Sequence, residues 1–233
     1  MSNFSDIVIS KVPLFRVIHQ ALRDKAVDNL CARFLSLGID AQLLRQHPLK
    51  KASFGHRAKS LGLIQVDLKN IRYVKIIRFT TTKGVHPQAE STVWYEFDYL
   101  VPLTSIPCSL SDTTQLRLKQ RHRLLNEDEV MRLDDKTPGW QWEGGPLANM
   151  LNSDSSLNSN LLTELRLDGP LGNLAIIPEP AYGCVRITTD AGCKSPGLGM
   201  GPLGGESIPR LPSRSSIDCL DRIAGHVIEI AKL

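Results

Sequence analysis

The chain has 233 residues, 42% hydrophobic and 22% charged, a balance that excludes a disordered chain and allows one large domain or two small ones. No apolar run reaches the ~18 residues that a membrane-spanning helix needs, so no membrane partner is expected. Its formal net charge of +4 hides a split: residues 1–123 carry 19 Lys and Arg against 9 Asp and Glu, and residues 124–233 carry 9 against 15. A basic half of this kind meets phosphates, or a surface of opposite charge on a partner or on the other half of the chain.

In chain order, residues 1–10 lack the basic start, apolar stretch and cleavage site of a secretion signal, which reads as a cytoplasmic protein. Residues 13–37 predict an amphipathic helix. Pro13 suits its first turn, Ile18, Leu22, Ala26, Leu30, Phe34 and Leu37 recur at helical spacing, and Gly38 ends it. Three strands follow, over 63–68, 71–79 and 93–101. In the last, Val93, Tyr95, Phe97, Tyr99 and Val101 alternate with Trp94, Glu96, Asp98 and Leu100, the clearest period of two in the chain. Lys69-Asn70 is short enough to turn the first two strands into a hairpin. Residues 1–123 therefore predict a helix packed on an antiparallel meander.

Residues 116–133 read as helical, with Asn126 and Glu129 spaced as a capping box. Residues 152–160 hold eight polar residues in nine and predict a flexible linker, so that 124–160 joins two lobes. Beyond it, 164–167, 174–177 and 184–189 read as strands and 190–212 as a Gly/Pro loop. Ser215 and Asp218 suggest the cap of a last helix, in which Ile217, Leu220, Ile223, Ala224, Val227, Ile228 and Ala231 form one apolar face. His226 falls outside that face and is expected in solvent. The fold class expected is α+β in two small lobes, 1–123 and an acidic 161–233 whose small sheet is closed by the C-terminal helix.

Cys31, Cys108, Cys184, Cys193 and Cys219 are scattered, with no Cys-x-x-Cys pair to preset two corners of a zinc tetrahedron, so buried inert thiols and no structural metal are expected. Gly199, Gly201 and Gly204 match a dinucleotide fingerprint in spacing only. Pro202, Pro209 and Pro212 block the helix whose amides would face a pyrophosphate. No Walker phosphate loop, Gly-x-Ser-x-Gly elbow or His-Glu-x-x-His is present.

What remains is charge. Between Asp40 and Asp67 lie Arg45, Lys50, Lys51, Arg57 and Lys59 with no acid, and Phe54 offers a ring beside them. Arg117, Lys119 and Arg121 form a second cluster. Cations neutralise phosphates and exposed rings stack on unpaired bases, so these residues are the candidate contacts of a non-catalytic nucleic-acid or polyanion binder that needs no cofactor. Some six phosphate contacts would weaken binding roughly 10³-fold between about 50 and 200 mM salt. The Tyr95, Phe97, Tyr99 stripe is expected to be core beneath the first helix rather than an open stacking platform.

Two alternatives come from other classes. Asp67-Leu68-Lys69 resembles, over residues 38–100 or so, the acid-x-Lys pair of restriction-endonuclease-like nucleases. That resemblance implies a Mg²⁺-dependent nuclease, in which the metal polarises the phosphate and Asp40, Glu96 or Asp98 supplies a further acid. The other alternative is a protein-interaction subunit whose oppositely charged halves meet each other or a partner. Exposed acids near Asp67 would favour the nuclease, and burial of the basic tract under the acidic half would favour the interaction subunit.

Overall fold

The computed structural model describes residues 26–52, 54, 59–83, 90–118, 140–166, 171–191, 193–194 and 208–232. It is a mixed α+β fold built on one eight-stranded sheet. In chain order the elements are helix α1 (26–36), β1 (Ala41–Leu44), the single turn α2 (Pro48–Lys51), β2 (Lys59–Val66), β3 (Tyr73–Lys83), β4 (Glu90–Pro102), β5 (Thr114–Leu118) and β6 (Trp140–Glu143). Then follow α3 (Gly145–Ser153), α4 (Ser155–Arg166), β7 (Gly172–Glu179), β8 (Cys184–Asp190) and α5 (Arg214–Ile230). A two-stranded pairing of β9 (Cys193–Lys194) with β10 (Ile208–Pro209) lies inside the expected Gly/Pro loop.

The sheet runs β1-β2-β3-β4-β8-β7-β5-β6, and every pairing is antiparallel. The three strands predicted in the basic half are β2, β3 and β4; β2 and β3 form the expected hairpin, with a connection over 67–72 that is longer than Lys69-Asn70 alone. The halves do not each close a sheet of their own, because β4 pairs with β8 from Glu96↔Asp190 to Pro102↔Cys184. Strand pairing thus joins 1–123 to 161–233.

One face of the sheet is covered by helices. Val27, Leu30 and Phe34 of α1 share a core with Val74, Ile76, Phe97, Tyr99, Val101, Val185 and Ile187. The face predicted for α5 meets it through Ile217, Leu220, Ile223, Ala224 and Val227, all fully buried. Tyr95, Phe97 and Tyr99 are therefore core, and burial pushes the Tyr99 hydroxyl above its ordinary range. Gly62 lets α1 approach: a Cβ there would stand 2.9 Å from both methyls of Val27, and the β2–β3 register shifts between Ser60 and Gly62.

Four local expectations are corrected. Residues 152–160 are helical rather than a linker. Asp154 accepts the Leu157 N–H at 3.0 Å as a cap, and Leu157 and Leu161 bury one apolar stripe among the polar residues. Glu164 belongs to α4 and not to a strand; it is buried and accepts from Ser213 Oγ at 2.9 Å and Ser216 Oγ at 2.5 Å. Residues 116–118 are strand β5, paired with β6 from Leu116↔Trp142 to Leu118↔Trp140, and the rest of the helix predicted over 116–133 lies outside the described residues. The cap of α5 is Ser213, whose hydroxyl accepts from the Ser216 N–H, two residues earlier than Ser215. The glycines of the 199–204 spacing and the first half of the helix predicted over 13–37 also lie outside the described residues.

Candidate nucleic-acid interface

The second face of the sheet carries charge, and that charge is buried. Cross-strand register places Lys75 opposite Asp98, and Asp98 opposite Thr188. Lys75 and Asp98 are both at 0% exposure. Arg186, two positions along β8 from Thr188 and so on the same face, is also buried and holds three carboxylates at once. Its Nη1 stands 3.2 Å from both Glu96 Oε1 and Asp98 Oδ1, and its Nε stands 3.2 Å from Glu179 Oε1. Desolvation drives the Asp98 carboxyl up to about 7, with Arg186 opposing and Glu96 adding to the rise. Burial pulls the Lys75 amine down from its ordinary value, partly offset by Asp98, and pushes the Cys184 thiol beside it up to about 11.

The basic tract is fastened over this face. Lys75 Nζ donates to the Leu49 carbonyl at 3.2 Å and to that of Ala52. The Phe54 ring lies over Lys75 Nζ, 4.4 Å from its centroid, and 5.3 Å from the Arg186 guanidinium carbon. Tyr182 closes on Phe54 edge-on at 5.0 Å. Phe54 takes a φ of 47°, a left-handed conformation that costs a bulky residue energy and persists because its surroundings fix it. Ala52, Phe54, Leu63, Leu100 and Cys184 form a small core of their own here. At the tract's start His47 Nδ1 accepts from the Leu49 N–H at 3.2 Å, and the ring packs on Tyr73.

This fastening leaves cations outside. Arg45 and Lys51 are exposed, and half-buried Lys50 donates to the Arg45 carbonyl at 3.3 Å. Among the described residues none of the three has an acid within ion-pair distance. Arg72, Arg117, Arg214 and Arg222 are each paired, to Asp67, Glu143, Asp218 and Asp154. Phe54 is a correction: its ring is spent on Lys75 and Arg186 and offers no free stacking face. Lys59 begins β2, next to the tract, while Arg57, Lys119 and Arg121 lie outside the described residues. Arg117 is on β5, six strands from β1, held by Gln115 and Glu143, so the described parts of the two basic clusters do not form one patch.

Of the acids in the nuclease alternative, the two exposed ones, Asp67 and Asp40, are neighbours, and the other two lie apart from them. Asp67 is exposed, and its carboxylate is met by Arg72 at 3.2 Å rather than by Lys69. Asp40 is its exposed neighbour across the strands, the Asp67 N–H donating to the Asp40 carbonyl at 2.9 Å. Glu96 and Asp98 are on β4, two strands away, engaged with Arg186. Among the described residues no three His, Cys, Asp or Glu side chains are grouped to hold a metal ion.

Sequence reasoning missed two polar assemblies. Period-two alternation alone sends Lys75, Glu96 and Asp98 to solvent; the contrary signal was the unbroken runs Ile76-Ile77 and Tyr99-Leu100-Val101, which mark strands covered on both faces. The second assembly ties α5 to its neighbours. Asp154 accepts from Arg222 at two 2.7 Å bonds and lies 2.9 Å from His226 Nε2, which corrects the expectation of a solvated histidine. Burial raises the Asp154 carboxyl, but His226, the Leu157 N–H and Arg222 outweigh it and hold the group below its ordinary value. Asp221 grips the hairpin turn, accepting the Asn70 and Ile71 N–H groups at 2.8 and 3.3 Å. No helix among the described residues is long and apolar enough to cross a membrane. No protein-family model, curated protein or solved structure matches the chain.

Proposed function

We propose that this protein binds nucleic acid, without catalysis, through the tract that follows β1, with Arg45, Lys50 and Lys51 as phosphate contacts and Arg57 and Lys59 as neighbours in sequence. One observation carries the reading: three cations of one tract have no acidic partner among the described residues, while the backbone on either side of Lys50 and Lys51 is tied down by a buried lysine. A fixed array of free cations loses little conformational entropy on meeting a phosphate backbone. The exposure of Arg45 and Lys51 supports an external ligand over pairing between the two halves of the chain.

Three phosphate contacts imply a modest salt dependence. For a single strand the slope is about −0.7 per contact, so affinity falls roughly 20-fold between about 50 and 200 mM salt. Fluorescence anisotropy of labelled single- and double-stranded oligonucleotides over that range, with and without Mg²⁺, measures it. No binding at low salt would sink the reading. Mg²⁺-dependent shortening of the probe, lost in Asp67→Ala, would replace it with the nuclease.

A further inference from the structure

Beside the tract a cleft of about 380 Å³ opens between α1 and the first two strands, lined by Val27, Asp28, Leu43, Arg45, Lys50, Leu61 and Gly62. Its size is that of a small-molecule site, for which roughly 300–1,000 Å³ is usual. Its walls are not uniform. Val27, Leu43 and Leu61 supply apolar surface. Arg45 and Lys50 supply two cations, and the bond from Lys50 Nζ to the Arg45 carbonyl brings the two residues together. Asp28, exposed on α1, supplies a carboxylate.

A uniform polyanion does not match this set, because Asp28 repels it. A better match has an apolar planar body, an anion at one end and N–H donors on an edge. An unpaired nucleotide has all three: a base face for the apolar walls, a phosphate for Arg45 and Lys50, and an exocyclic amine for Asp28. Carboxylates accept from the cytosine N4 amine; a duplex offers that amine only from its major groove and keeps the base faces stacked, so the apolar walls can reach a face only when the base is unstacked. We infer that the cleft takes one unstacked, amine-bearing base of a single strand, cytosine above all, with its phosphate on Arg45 and Lys50. The inference rests on the proposed nucleic-acid binding and names its substrate class.

The test uses the full chain and three 5′-labelled probes at about 50 mM salt: oligo-dC of twelve residues, oligo-dT of the same length and a twelve-base-pair duplex. The expected order is dC at least tenfold tighter than dT and duplex. Asp28→Ala should remove the preference for dC over dT, weakening dC and tightening dT, since the carboxylate that accepts from cytosine and repels the strand is gone. Asp28 is a surface residue of α1, and an unchanged thermal melt checks that the variant is folded. Arg45→Ala should weaken all three probes. Equal, salt-dependent binding of the three probes by the native chain would overturn the cleft assignment and leave the nucleic-acid reading standing. So would a dC preference that survives in Asp28→Ala. Failure of every probe to bind would remove both.

Discussion

The two faces of the sheet are buried to a similar depth by opposite chemistries. The helix-covered face is closed by Ile, Val, Leu and aromatic side chains, each contributing through area removed from water. The other face buries Lys75, Asp98 and Arg186 almost completely under a short segment with a small apolar core. Buried charges repay their desolvation only when their partners are well placed, so this face is a poor source of net stability but a strict source of position. Here it fixes the tract that carries Arg45, Lys50 and Lys51. One face holds the fold together, and the other holds a surface loop in one place.

Removing one member of the charged face should give the largest effect. Arg186→Leu leaves Glu96, Asp98 and Glu179 gathered without their shared cation, and urea denaturation should show a loss of about 3–5 kcal/mol. A loss under 1 kcal/mol would mean that the carboxylates are hydrated and the face is not closed. On the apolar face, Ile223→Ala should cost on the order of 2–4 kcal/mol through the cavity it leaves. An effect at Ile223 as small as that of an exposed site would place the packed side of α5 elsewhere.

A pH series probes the charged face through one of its own groups. Asp98 is raised from 3.8 to about 7 by burial, amid Lys75, Glu96, Glu179, Cys184 and Arg186. The native state therefore keeps a proton that the unfolded carboxylate has released. Its stabilising contribution is complete below the unfolded value and is lost as pH rises through about 7. Relative to Asp98→Asn, the native chain should lose stability from pH 5 to pH 8, by at most about 1.4 kcal/mol per pH unit. Parallel profiles for the two proteins would show that Asp98 is ionised throughout. The smallest effect belongs to the solvent-exposed rim. Asp67→Ala breaks only the exposed pair with Arg72 and should change stability by less than about 0.5 kcal/mol. A larger loss would give the end of β2 a structural role that its exposure denies.

The contrast between the faces also explains what could be read in advance. β2, β3, β4 and the apolar side of α5 announce themselves because burial against helices imposes a period of 2 or 3.6 on apolar residues. The sharing of one sheet by both halves does not, since the β4–β8 pairing joins segments that are distant in sequence and no local pattern encodes it. Residues 152–160 mislead for a different reason. Ser, Asn and Asp favour caps as much as loops, and only Leu157 and Leu161 signal a buried stripe. At the candidate site Arg45, Lys50 and Lys51 are legible as charge, but Phe54 in sequence is indistinguishable from an exposed ring. Its actual role depends on Lys75 and Arg186, which arrive from two other strands.

The central claim is that the binding surface is the tract clamped at the β1 side of the sheet. The direct measurement compares Lys50→Ala/Lys51→Ala with Arg117→Ala for anisotropy of labelled oligo-dC against salt. The double variant should bind at least tenfold more weakly at about 50 mM salt, with the slope reduced by about 1.4 for two lost phosphate contacts. Arg117→Ala, six strands away, should stay within about twofold of the native chain. Equal losses in the two variants, or a loss confined to Arg117→Ala, would contradict the account.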